Sequence, residues 1–287
     1  MQQVFDRFST DKDCLRYLIN VRWSGAFRCP SCAHTSAWQV RRGYFRCARC
    51  HSDTSVTEGT VFAHSRIPLM LWFLAIWCVV SQKHGISALG LARTVGIKRQ
   101  KTGWQLLQKI RRGMIRPNRD RLSGLVEVDE ILIGGKRHRH EGRSPEGKTL
   151  VLVAAEDKGR RGIGRIRMQI IPDATAASLR AAVATMVEPG STVRTDGWRS
   201  YQPERWGYRQ RLAKRQPGIP GDDPTPLIHR ISALLKRWIL GTHQGGIQTT
   251  HLQEYLDEFV FRFNRRTSRS RGKLFYRLIQ NLLHVPS

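Results

Sequence analysis

Two sets of residues in this sequence have the types and spacing to do chemistry. The first is four thiols: Cys29 and Cys32, then Cys47 and Cys50 after fourteen intervening residues. Each C-x-x-C pair turns two thiolates toward one point, and two such knuckles joined by a strand pair complete a tetrahedral S4 site. The expectation is structural zinc, because four thiolates leave no coordination position open for catalysis. His34 and His51 lie beside the knuckles as surplus groups. The second set begins with Asp129 and Glu130, in the middle of the apolar run LVEVDEILI at 125–133. A carboxylate on a buried strand is costly unless a partner or a metal compensates it. Side chains alternate along a strand, so only one of the two acids can share the face of Val126 and Val128. This stretch alone leaves two readings open, an ion pair with an arginine or a metal site.

Two further residues join the second set by position. Asp196 ends a short strand predicted over 191–195, at the carboxyl edge where α/β sheets place their ligands. An Asp-Gly pair there is an ordinary turn by itself; with Asp129 it becomes a candidate second metal ligand. Farther on, a helix predicted over 228–240 carries His229 and Lys236, seven residues or two turns apart and so on one face.

The elements that must hold these residues follow from the apolar patterning. Residues 1–20 form an amphipathic helix that includes Cys14, which is read, like Cys78, as a buried thiol. Trp38, Val40, Tyr44 and Phe45 flank a turn at Arg42-Gly43 and supply the strand pair between the knuckles. A buried helix is predicted over 68–81, and Ser87 caps a second. A turn at Val95-Gly96-Ile97 leads to a third helix over 99–112. Lys98, Arg99 and Lys101 with Gln105 and Gln108 give that last pair the look of a DNA-binding helix-turn-helix.

From residue 125 the texture is that of strands: 125–133, a fully buried 149–155 and a half-exposed, alternating 165–171. Thr175 caps a helix, the 191–195 strand follows, and helices and a basic tail after Arg265-Arg266 close the chain. The order describes a mixed α/β layer fold. Two loops interrupt it: a Gly- and Arg-rich one at 136–148, whose His138 and His140 read as phosphate contacts, and a Pro- and Gly-rich one at 214–227.

Charge narrows the partner. Lysine and arginine number 49 against 22 acids, a net charge of +27 spread from end to end over 287 residues. A surface this basic takes a polyanion, and nucleic acid is gripped largely through its phosphates. No basic-then-apolar leader opens the sequence, and the longest apolar run, 67–80, is too short to span a bilayer. The six cysteines, four of them in metal-type pairs, fit a reducing compartment, and the cytoplasm is the expected location.

Taken together, CPSC and CARC, VEVDEILIGGK, STVRTDGWRSY, HRISALLKRWILGTHQG and HLQEYLDEFVFRFNRR resemble bacterial insertion-sequence transposases with an N-terminal zinc ribbon before an ISXO-type catalytic domain. The likeness covers nearly the whole chain. It implies an RNase H-like, DDE-type catalytic domain over 119–287, a zinc ribbon over 1–60 and a helix-turn-helix segment over 61–118. It also implies two divalent ions, Mg2+ or Mn2+, and cleavage then joining of double-stranded DNA at the element's terminal inverted repeats and at a target. Two ends held together imply at least a homodimer. Asp129 matches the first catalytic acid and Asp196 the second. The third position usually holds Glu seven residues before a helical Lys-Arg; here Lys236-Arg237 match, and His229 stands where Glu is usual. The pattern is therefore Asp-Asp-His with a trailing Lys236 at a phosphate and Arg237 toward DNA. Glu258 is the rival third acid, read instead as an anchor for the final helix. Two competing functions stay open on these residues: a DNA-binding regulator whose RNase H-like domain is inactive, and a nuclease that cuts without joining.

Overall fold

The computed structural model describes residues 6–116, 119–134, 148–212 and 223–285. The basic loop with His138 and His140, and most of the Pro- and Gly-rich stretch, lie outside the described residues. The chain divides into two compact units: Met1–Arg116 with Ser268–Ser287, and Pro117–Thr267.

The first unit opens with α1 (Asp11–Arg22), started by a reciprocal cap between Thr10 and Asp13 and burying Cys14 and Leu18. β1 (Ala37–Arg41), β2 (Tyr44–Cys47) and β3 (Asp53–Ser55) form an antiparallel sheet in that order. The turn between β1 and β2 is made at Gly43, whose φ of +76° suits a residue without Cβ. β3 was not expected; its three polar-start residues carry no alternation to read. α2 (Leu69–Ser81) is apolar almost all round and buried to match. α3 (Ala88–Val95), capped by Ser87, ends at Gly96 in the left-handed conformation, and α4 (Gln100–Arg112) follows. At Gly103 a Cβ would sit 2.8 Å from the Ala88 carbonyl oxygen, so α4 lies as close to α3 as glycine allows. Lys98, Arg99 and Lys101 are exposed at the start of α4.

One expectation about the end of the chain is overturned. Residues beyond Arg266 were read as a basic tail of the catalytic segment, but α8 (Arg271–His284) is a helix that belongs to the first unit. It buries Leu274, Phe275, Leu278, Ile279, Leu282 and Leu283, with Phe275 against Phe8 and Phe73 and the Asn281 amide donating to the Gly113 carbonyl at 3.0 Å. The apolar stripe at intervals of three and four was present in the sequence; interleaved Arg and Lys hid it. The ribbon and the helices likewise form one compact unit where the sequence was divided at residue 60.

The second unit is a five-stranded sheet built from β4 (Leu125–Gly134), β5 (Lys148–Asp157), β6 (Ile163–Ile170), β7 (Thr192–Thr195) and β8 (Arg209–Leu212), in the order β6-β5-β4-β7-β8. β4, β5 and β6 pair antiparallel, while β4 with β7 and β7 with β8 pair parallel. This is the RNase H-like arrangement. α5 (Ala176–Met186) covers one face, packing Leu179, Val183 and Met186 on Val126, Val128 and Leu152. α6 (Pro226–His243) and α7 (Leu252–Asn264) cover the other, with Ile228, Ile231, Leu235, Leu256 and Phe259 against Ile131, Ile133 and Val153. β8 escaped the sequence reading because Arg209-Gln210-Arg211-Leu212 is an exposed edge with no apolar alternation. β6 is less exposed than its alternation predicts: Arg167 is buried, donating to the Asp120 carbonyl at 2.5 Å.

Candidate active site and zinc centre

In the ribbon, Cys29 Sγ lies 3.5 Å from Cys50 Sγ and Cys32 Sγ 3.6 Å from Cys47 Sγ. All four sulfurs fall within 4.8 Å of one another. Zn–S bonds of about 2.3 Å in a regular tetrahedron put the sulfurs about 3.8 Å apart, so this donor set fits zinc. Against the upward push of burial, the backbone N–H groups of Cys32 and Ser31 bring the Cys29 thiol down to about 6, toward the thiolate a metal requires. His34 and His51 are not part of the cluster. Cys14 and Cys78 are buried, and burial pushes the Cys14 thiol up to about 12, which makes it inert.

In the second unit the alternation along β4 separates the two acids. Glu130 shares the parity of Val126 and Val128, and its Oε2 accepts a hydrogen bond from the Tyr201 hydroxyl. Asp129 shares the parity of Ile131 and Ile133 and faces α6. Its Oδ1 accepts the Glu130 backbone N–H at 2.8 Å, and its Oδ2 accepts the Thr225 hydroxyl at 2.5 Å. Burial pushes the Asp129 carboxyl above its ordinary range; the Thr225 hydrogen bond opposes this, the nearby charge of Asp196 adds to it, and His229 counters it. Three elements thus bring Asp129, Asp196 and His229 within electrostatic reach. Asp196 is exposed just past β7, its Oδ1 accepting the Trp198 N–H at 3.0 Å. His229 is exposed on the first turn of α6, with Nδ1 2.7 Å from Asp223 Oδ2.

Among the described residues, the four cysteines are the one group of three or more metal-type side chains whose donor atoms all lie within 4.8 Å. The Asp-Asp-His set is more open. Openness is compatible with two divalent ions about 3.5–4 Å apart, where only a shared carboxylate must reach both. The donor chemistry fits as well: a half-buried carboxylate whose ionisation is disfavoured by a second carboxylate is stabilised by a cation between them. Lys236 and Arg237 are exposed, two turns along α6 from His229. Glu258 is fully buried on α7 and pairs with Arg262, one turn along the same helix, at 2.7 Å.

Sequence reading missed a third acid on β4. Glu127 is completely buried, ion-paired with Arg194 of β7, and its Oε1 accepts the Ile228 N–H at 2.8 Å. It ties β4 and β7 to the first turn of α6, where a carboxylate also suits the helix dipole. Arg194 reaches on to Asp157 at 3.2 Å. Glu127→Ala leaves Arg194 with Asp157 alone and the Ile228 N–H without its acceptor, and should cost about 1–3 kcal/mol of stability. Denaturant unfolding of the full chain measures it; a loss under about 1 kcal/mol would contradict this role. Tyr201, Thr225 and Asp223 were missed too. The available signal was the turn-forming Asp223-Pro224-Thr225-Pro226 run, with Pro226 at the start of α6.

The geometry agrees with what comparison finds. The ISXO2-like transposase domain matches residues 121–264, half of the chain, and the transposase zinc-ribbon domain matches residues 9–53. The chain belongs to the ISXO2-like transposase family. It is a DNA transposase carrying a zinc ribbon. A protein of Halobacterium salinarum described as an uncharacterized protein in transposable element ISH50 is 28% identical over 291 residues, covering 93% of this transposase and 94% of the relative. Among solved structures, the catalytic core domain of BIV integrase is similar at 16% identity and a TM-score of 0.33, over 54% of this chain and 94% of that one. A simian T-cell lymphotropic virus intasome in complex with PP2A regulatory subunit B56 gamma matches at 14% identity and a TM-score of 0.34, over 70% of this chain and 74% of that one. Among the described residues of the transposase, no helix is long and apolar enough to cross a membrane.

Proposed function

We propose that this transposase cuts the ends of its own insertion sequence and joins them to target DNA through a divalent-ion site made of Asp129, Asp196 and His229. The observation that carries the reading is the half-buried Asp129 carboxylate on β4, tied through Thr225 to the start of α6, whose first turn carries His229, with Asp196 just past the neighbouring strand β7. Asp129, Asp196 and His229 would together hold the ions. Mg2+ or Mn2+ bound there supplies an activated water and stabilises the leaving 3′ oxygen. The chain's own part is positioning and charge. Thr225 fixes the Asp129 carboxylate in its rotamer, and Lys236 holds a phosphate beside the scissile bond. Lys98, Arg99, Lys101 and Arg237 contact DNA phosphates, and the ribbon with α3 and α4 grips the terminal repeats, which gives binding a steep salt dependence. Two ends held at once call for a homodimer or a larger assembly in the cytoplasm, on the nucleoid.

Incubation with DNA bearing the element's own ends should yield 3′ nicks only when a divalent ion is present. Tight binding without nicking would leave a DNA-binding regulator instead. Imidazole suits Mn2+ better than the oxygen-preferring Mg2+. Nicking should therefore be faster with Mn2+, and His229→Glu should narrow the gap. An unchanged metal preference in that variant would remove His229 from the ligand set.

A further inference from the structure

The Asp-Asp-His set carries one formal negative charge fewer than an Asp-Asp-Glu set, and the structure places a third carboxylate where it makes up the difference. Asp223 Oδ2 lies 2.7 Å from His229 Nδ1. A carboxylate oxygen accepts and does not donate, so Nδ1 carries the hydrogen, and Nε2 is the ring nitrogen left to face an ion. The other oxygen, Asp223 Oδ1, accepts the Thr225 backbone N–H at 3.0 Å. Thr225 is buried to 1% exposure, and its hydroxyl in turn donates to Asp129 Oδ2 at 2.5 Å. Asp223-Pro224-Thr225-Pro226 is thus a strap that links the strand acid to the helix histidine. Its two prolines fix φ on either side of Thr225 and limit how far the strap can relax.

We propose that Asp223 is a positioning residue: it holds His229 in the tautomer that offers Nε2 to a divalent ion, and it returns to the site the negative charge that a glutamate would supply. This rests on the reading of Asp129 and His229 as metal ligands. A histidine ligand commonly donates its second ring N–H to a carboxylate, and loss of that partner weakens metal binding by about 10–100-fold. The His229–Asp223 pair then does the work of one glutamate with two residues, which accounts for a histidine being workable at the third position.

The test is Mn2+ binding to the full-length, zinc-loaded protein without DNA, followed by calorimetry and by the electron paramagnetic resonance of free Mn2+. Asp223→Ala should bind Mn2+ about 10–100-fold more weakly than the wild type, and Asp223→Asn, which keeps an acceptor oxygen without the charge, should recover part of the loss. The decisive comparison is the same change made beside His229→Glu. With no imidazole left to orient, Asp223→Ala should alter affinity by less than about twofold there, since a residue acting through another loses its effect with it. Wild-type affinity in Asp223→Ala overturns the proposal. So does an equal loss in both backgrounds, which would make Asp223 a general support of the fold. Wild-type affinity in Asp129→Asn is a separate result, and it would instead remove the metal site on which the proposal stands.

Discussion

Asp129→Asn abolishes strand cleavage and joining and leaves DNA binding near the wild-type level. The substitution is nearly isosteric. The asparagine carbonyl can still accept the Thr225 hydroxyl that Asp129 Oδ2 accepts, so β4 and the start of α6 keep their register. What disappears is the carboxylate charge on which the proposed ion site rests. Metal assistance is worth several kcal/mol of barrier, and each 1.36 kcal/mol is a factor of ten, so single-turnover nicking should fall by about 10³-fold or more. Gel-shift affinity at matched salt should change little, because phosphate contacts by exposed lysines and arginines supply most of it. A residual rate within about tenfold of wild type would show that Asp129 is an ordinary strand carboxylate.

Loss of zinc should be as severe for the other unit. Cys47 is fully buried, Cys32 Sγ lies 3.6 Å from its sulfur, and the surrounding strands are short and half-exposed. Little apolar surface is available there to offset chain entropy. Structural zinc contributes roughly 10–16 kcal/mol in comparable small sites, as much as the whole stability of a domain of this kind. Cys47→Ser, or a strong chelator, should release the ion and unfold β1, β2 and β3. Hydrogen exchange should then lose protection across residues 29–55 while β4, β5 and β6 of the second unit keep theirs. Binding to the element ends should fall with it, because a disordered ribbon cannot present its basic side chains in register. Unchanged protection over 29–55 after the metal is removed would contradict a structural role.

What could be read from the sequence divides along physical lines. The ribbon was legible because four thiols at fixed spacing have few other uses. The two acids proposed for the ion site stood out in the sequence because one is a carboxylate inside an apolar strand and the other lies at a strand's carboxyl edge. Their surroundings were not. Thr225 reaches Asp129 across 96 residues, and Tyr201 reaches Glu130 across 71, so no local pattern announces either bond. Glu127 has partners that come from β7 and α6, far along the chain, so nothing in its own run marks it. β3 and β8 are short and polar, and their strand character comes from neighbours that need an edge partner, which is tertiary information. α8 was misread for the opposite reason. Its apolar stripe was there to count, but charge was given more weight than periodicity, and periodicity decides where a helix packs.

The measurement that tests the account most directly is sequencing of the DNA joints formed when the purified protein is given its element's ends together with a target plasmid, with Mg2+ or Mn2+ and with neither. The account predicts element 3′ ends covalently joined to target strands, formed only with a divalent ion, and with Mn2+ ahead of Mg2+. Ends that are bound but never cut, or cut but never joined, would contradict it.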